Sequence, residues 1–146
     1  MEISRTVETT SPLDKVFSYL SDFTTTTEWD PGTVRTVRVS GDGGVGTRYE
    51  NTSRFNGRET QLEYVVKELV PDSRIVLEGN NKTVRATDTI TVTPIESGTR
   101  VTYNAEFEFK GLTRFVAPLM APVLGRAFKK LGDEAEAGMR AALDAL

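Results

Sequence analysis

The chain has no cysteine and no histidine. The first absence excludes disulfides, thiolate nucleophiles and Cys-ligated zinc or iron–sulfur sites. The second removes the commonest general base and the commonest metal ligand. No metal or cofactor is therefore expected, and any acid–base chemistry must use Asp, Glu, Tyr, Lys, Arg, Ser or Thr. No apolar run reaches the roughly 18 residues of a membrane span, so no integral membrane association is expected. The opening residues, MEISRTVETT, lack the regions of a signal peptide, and a cytoplasmic protein is expected. Tryptophan occurs once, at Trp29. Neither sign of charge dominates, because 18 basic and 21 acidic residues leave −3. No basic block stands out, so nucleic acid is not an expected partner and no anionic membrane is called for.

What the chain does have is amphipathic pattern. Its 146 residues suit one domain, 1–146, with a substantial core. In the last third, apolar residues recur at helical spacing from Leu112 through Phe115, Leu119, Val123, Phe128 and Leu131 to Met139. The opposite side carries Arg126, Lys129, Lys130, Asp133, Glu136 and Arg140. This spacing predicts an amphipathic helix whose apolar stripe is buried on a sheet. Pro118 and Pro122 suit first turns better than helix interiors. They divide the stretch into an irregular lead-in, 111–121, and a main helix, 122–145. That helix would span about 36 Å, and a strand over 99–109 about 37 Å. The match predicts one helix lying across the width of a curved sheet. Gly125 and Gly132 would serve either close packing or room for a ligand.

Before that helix nearly everything reads as strand. Residues 2–9 alternate and form the first strand, with Ile3, Arg5 and Val7 on one side. Ser11-Pro12-Leu13-Asp14 is a helix start, with Ser11 as the cap and Asp14 as its reciprocal partner. Leu13, Val16, Phe17 and Leu20 give the short helix a buried face. Trp29 then stands in a polar connection that ends in the turn Asp30-Pro31-Gly32. It is read as a core anchor or a ligand wall, and the two roles can coincide. Six strands follow, at 34–40, 46–55, 58–70, 74–78, 83–93 and 99–109. The short turns between them, including Asn56-Gly57, predict an antiparallel meander.

Strand parity sorts the side chains. Val101, Tyr103, Ala105, Phe107 and Phe109 share one face of the last strand, against a polar opposite face. Ala86, Asp88, Ile90 and Val92 point inward from the strand before it, as do Leu62, Tyr64 and Val66 further back. The row Thr47, Tyr49, Asn51 and Ser53 is also placed inward and is polar for a core row. A partly hydrated cavity between sheet and helix explains these polar residues, and so does a position near strand ends. Asp88 is then a cavity carboxylate, a satisfied structural carboxylate, or a parity error caused by a bulge.

The layout of strand, short helices, six-strand meander and long helix is a helix grip. With Ser11-Pro12, Val16-Phe17, Ser21-Asp22-Phe23, Glu28-Trp29-Asp30-Pro31, Gly46-Thr47-Arg48-Tyr49, Pro71-Asp72-Ser73-Arg74 and Gly98-Thr99-Arg100-Val101-Thr102, the chain resembles the START-like superfamily. Within it the likeness is to polyketide cyclase/dehydrase-like proteins, over essentially the whole chain. The resemblance implies an α+β helix-grip fold, a seven-stranded curved antiparallel sheet wrapped on the C-terminal helix. It also implies a deep pocket for a small hydrophobic molecule. It transfers no catalytic signature, and fold does not fix function.

Two functions follow as expectations. The first is binding or carriage of a small hydrophobic or amphipathic ligand. Its wall would be Trp29, Tyr49, Tyr64, Tyr103, Phe107, Met120, Leu124 and Phe128, with Asp88 and the tyrosine hydroxyls orienting the guest and residues 112–121 forming the mouth. The second is a cofactor-free cyclase or dehydratase, with Asp88 as base and Tyr103 or Tyr49 as acid. It requires Asp88 within hydrogen-bond reach of a tyrosine hydroxyl inside a cavity. An interaction module using the sheet edge or mouth is a third class. Monomer and homodimer are both compatible with the sequence.

Overall fold

Alternation in the opening residues produces β1 (Glu2–Thr9), with Ile3 and Val7 buried on one side. The computed structural model describes residues 1–146. A helical crossover follows: α1 (Leu13–Ser21), a 3-10 turn (Phe23–Thr25) and α2 (Thr26–Trp29). It buries Val16, Phe17, Leu20, Phe23 and Trp29, so this connection is itself part of the core. It carries the chain from one edge of the sheet to the other. The meander then runs β2 (Thr33–Ser40), β3 (Arg48–Phe55), β4 (Arg58–Val70), β5 (Arg74–Asn80), β6 (Val84–Ile95) and β7 (Gly98–Phe109). The seven strands form one antiparallel sheet in the order β1-β7-β6-β5-β4-β3-β2. After it come α3 (Thr113–Val116), a 3-10 turn (Ala117–Met120) and α4 (Ala121–Asp144). This is the expected α+β helix-grip fold.

Turn chemistry sets the registers. Asn56 and Gly57 both have positive φ, 51° and 79°, as a two-residue hairpin turn of type I′ requires. The register between β6 and β7 has no shift, so Asp88, opposite Ala105, is not displaced by a bulge. The outer face is wet and carries cross-strand ion pairs such as Arg85–Glu108, Arg48–Glu63 and Arg100–Glu8. Exposed pairs of this kind contribute little, because solvent and salt screen them. Stability comes from the inner face. There, at one end of the sheet, Val7, Leu20, Ile75, Ile90, Val101, Met139 and Leu143 close into a core.

Two sequence expectations are corrected. Ser11 does not cap α1, whose N-cap is Pro12 without a side-chain bond. Its buried hydroxyl instead donates to the Leu143 carbonyl at 2.6 Å, while Asp14 accepts from the Lys15 amide. The serine thus ties the end of α4 to the start of the crossover, aided by Thr9 Oγ1 donating to Asp144 at 2.7 Å. Second, the apolar stripe is not buried throughout. In α4 burial begins at Phe128 and continues at Gly132, Ala135, Met139 and Leu143. Leu112, Phe115, Val116, Leu119, Met120 and Val123 are exposed. The helix α4 packs most closely along β1 and against α2, and its Met139 and Leu143 share a core with Ile75 and Ile90 of the central strands.

The glycines show how that contact is made. A Cβ on Gly138 would sit 2.1 Å from the Trp29 carbonyl oxygen, so only glycine lets α4 come this close to α2. A Cβ on Gly132 would meet the Arg5 guanidinium at 2.7 Å and Ile3 at 2.9 Å, which is the close-packing role. Around Gly125 there is nothing within 4 Å, so it serves neither of its expected roles.

Candidate functional site

Because α4 rests on β1 and α2, a space remains between it and the middle of the sheet. That space is a largely apolar cavity of about 250 Å³. Its helix side is made by Phe128, Leu131, Gly132 and Ala135, and its sheet side by Leu62, Tyr64, Asp88, Tyr103 and Phe107. Phe23, Thr26, Trp29 and Asp30 of the crossover close one flank. Towards the other end of the sheet, Arg54, Phe55, Thr60, Thr83, Phe109 and Thr113 complete the lining. This end combines residues next to two hairpin turns with the start of α3. Phe128 holds the helix at this level, with its ring 4.8 Å from Phe107 and 5.0 Å from Phe55.

Six of the nine residues singled out from sequence meet at this cavity: Trp29, Tyr64, Asp88, Tyr103, Phe107 and Phe128. Three do not. Tyr49 is buried in the core, with its ring 5.9 Å from Phe23. Leu124 packs beside the Phe128 cluster outside the lining, and Met120 is exposed. The polar row of β3 is mostly satisfied by structure. Thr47 Oγ1 accepts from the Gly43 amide at 2.8 Å. Asn51 donates to Thr36 Oγ1 at 2.9 Å and accepts from Ser53 at 2.7 Å, and Thr36 also pairs with Thr26. Of that row, only Asn51 and Ser53 reach the cavity wall.

Asp88 is buried on the inner face of β6, and Oη of Tyr103 donates to its Oδ2 at 3.1 Å. Burial pushes the Asp88 carboxyl up to about 7, against the opposing pull of the tyrosine hydrogen bond, and the charge of Asp30 pushes the same way as burial. Tyr103 is raised well above its ordinary value, chiefly by burial and then by Asp88. Tyr64 is raised in the same manner. Its ring lies over Gly79, its partner across the β4–β5 ladder, where a Cβ would meet it at 2.7 Å.

Trp29 is a core anchor that also forms part of the cavity wall. It is fully buried, its ring stands edge-on to Tyr103 at 5.4 Å, and it lines the cavity. Its Nε1 is the one buried side-chain polar atom with no hydrogen-bond partner. Asp30 reads from sequence only as a turn residue, yet it too lines the cavity. It accepts from the Gly32 amide and from Thr33, both at 3.0 Å, and burial raises its carboxyl. The only sequence signal for it is adjacency to Trp29. The single cationic side chain in the lining, Arg54, is exposed and pairs with Glu59.

This arrangement of sheet, helix and pocket agrees with sequence comparison. The family model described as polyketide cyclase/dehydrase and lipid transport matches residues 1–146. The chain belongs to that family. No curated protein sequence matches it significantly. Among solved structures, TTHA0849 from Thermus thermophilus superposes with a TM-score of 0.82 at 15% identity, covering 99% of this chain and 98% of that one. The Zhui aromatase/cyclase from Streptomyces sp. R1128 gives 0.80 at 14%, covering 99% and 93%. A START superfamily protein from Mycobacterium smegmatis gives 0.79 at 13%, covering 99% and 97%. At these identities the likeness establishes the fold. No helix of this family member is long and apolar enough to cross a membrane.

Proposed function

We propose that the protein binds or carries a small, neutral, mainly apolar ligand bearing an oxygen acceptor. The observation that carries this reading is the unpaired indole N–H of Trp29, a residue in the wall of a preformed apolar cavity. An unsatisfied buried donor costs about 1–3 kcal/mol, and a guest whose carbonyl or hydroxyl oxygen reaches Nε1 through a small shift of the ring would recover that cost. A dry cavity of about 150 Å³ takes benzene, so the 250 Å³ here suits one or two fused rings. Asp30 and Asp88 oppose a guest carrying a carboxylate, and no unpaired cation in the wall offsets them. The domain reading, one ligand-binding unit over 1–146, goes with this proposal.

The test is titration with 2-acetylnaphthalene and with 2-naphthoate. The signal is fluorescence of Trp29, the only tryptophan, checked by native mass spectrometry. Saturable quenching by the neutral ketone, with the carboxylate weaker by ten-fold or more, is the expected result. Binding of neither probe, with no small molecule retained in native spectra, refutes ligand binding. Equal affinity for both refutes the choice of class.

A second reading, a cyclase or dehydratase, is favoured by the Asp88–Tyr103 contact inside the cavity. A carboxyl near 7 suits proton transfer at neutral pH. Asp88 would take the proton from the substrate and Tyr103 would polarise its carbonyl. Full turnover by an Asp88→Asn variant on any identified substrate removes this reading.

A further inference from the structure

The exposed part of the C-terminal stripe is a surface with a pattern of its own. Leu112 and Leu119 are 83% and 81% exposed, and Phe115, Val116, Met120 and Val123 are each at least 44% exposed. These six fall at i, i+3, i+4, i+7, i+8 and i+11, the spacing of one side of a helix. The segment is helical almost throughout, as α3, the 3-10 turn and the first turn of α4. Half of all the large exposed apolar side chains lie in these twelve residues. Single exposed apolar residues need no explanation, but such a cluster does.

Charge distinguishes the surface further. From Lys110 to Gly132 the chain carries Lys110, Arg114, Arg126, Lys129 and Lys130 and no acidic residue, in a protein whose net charge is −3. Arg114 stacks over Phe115 at 4.7 Å, and neither it nor Arg126 makes an ion pair. Lys129 and Lys130 reach back only to the exposed Asp133 and Glu134. The apolar row thus continues into a basic flank. Thr113, at the start of α3, lines the cavity.

We propose that this segment docks the protein on an anionic lipid surface, with the end of the cavity that Thr113 lines turned towards the membrane. A helical segment with an apolar face and basic flanks lies in the interface between headgroups and acyl chains. Anionic headgroups attract the basic residues, and each such charge near the surface raises partitioning about five-fold. A second copy is a poorer occupant, because two-fold pairing would set each copy's Arg114 and Arg126 facing the same cations. The proposal does not rest on the cavity holding a ligand.

The test is co-sedimentation with vesicles of phosphatidylcholine alone and of phosphatidylcholine mixed with phosphatidylglycerol, at low and high salt. Binding to the anionic vesicles, weakened by salt, is expected. Arg114→Gln and Arg126→Gln should each lower the partition coefficient about five-fold, and a Phe115→Ser/Leu119→Ser pair roughly ten-fold or more. All four changes are at exposed positions, and circular dichroism checks that each variant folds. In the parent, amide exchange over residues 112–123 should slow when anionic vesicles are added. Equal partitioning into neutral and anionic vesicles, no binding, or variants that bind undiminished overturns the proposal. So does a concentration-dependent dimer, lost in Phe115→Ser/Leu119→Ser, in a protein that ignores vesicles.

Discussion

Replacing Asp88 with asparagine should change how stability depends on pH, with little effect near pH 4 and the largest effect above about pH 7. The folded protein holds the Asp88 proton up to about 7, whereas an unperturbed aspartate releases it near 3.8. Between those values the native state has bound a proton that the unfolded chain has lost. Unfolding therefore releases a proton, and stability falls as pH rises through this window. The contribution is fully present below about 4, is lost progressively, and levels off above about 7. A shift of about three units at 1.36 kcal/mol each amounts to about 4 kcal/mol. Asparagine is neutral at every pH, has nearly the same shape, and can still accept from Tyr103. The stability of Asp88→Asn minus that of the parent should thus climb by up to about 4 kcal/mol from pH 4 to pH 8. Tyr64 and Tyr103, raised well above their ordinary value near 10, do not titrate in this window, and Asp30 is present in both proteins. Glu108 and Asp133, whose lowered carboxyls give slopes of the opposite sign, cancel in the difference. The assay is urea unfolding at a series of pH values, followed by Trp29 fluorescence and by far-UV circular dichroism. A difference that stays flat from pH 4 to pH 8 would refute the reasoning, since Asp88 would then titrate as an ordinary solvated carboxylate.

Tyr103→Phe removes the one hydroxyl that favours the Asp88 carboxylate, so the Asp88 midpoint, read from its 13C carboxyl shift, should move to higher pH. A midpoint that falls or stays would mean the hydrogen bond has no electrostatic weight. Gly138→Ala forces a Cβ against the Trp29 carbonyl, and should cost about 3 kcal/mol or more in urea unfolding. Gly125→Ala has open space and should gain roughly 0.5–1 kcal/mol. Equal effects at the two glycines would contradict the packing of α4 on α2.

Much of the fold was legible because the signals were local. The alternation in β7 separates Val101, Tyr103 and Ala105 from Arg100, Thr102 and Glu106 without ambiguity. Asn56-Gly57 admits one hairpin geometry. The same parity placed Asp88, Tyr64, Tyr103 and Phe107 on the inner face, and that is how four of the six cavity residues could be named. What periodicity does not carry is the extent of the surface a helix lies on. Leu112, Leu119 and Phe128 look alike in a helical pattern, yet only Phe128 has sheet beneath it. Tyr49 fits the inward row equally well, but Phe23 of the crossover fills the space in front of its ring. Ser11 precedes a proline as a good cap would, but its hydroxyl finds the carbonyl of Leu143 instead. Each miss depended on a contact between residues far apart in the chain.

The position of β1 bears on how the molecule comes into being. Its neighbours are β7 and α4, so Ile3 finds Ala105 and Arg5 finds Asp133 only after nearly all the intervening chain has been made. Such long-range closure is slow, and folding on the millisecond-to-second scale is the expectation for this topology. Until α4 arrives, the meander has an apolar face without a lid, and the cavity does not exist as an enclosed volume. The cavity thus forms only once α4 has docked. A guest is either caught as the helix docks or admitted later. A small molecule present during synthesis then competes on different terms from one added to the finished protein.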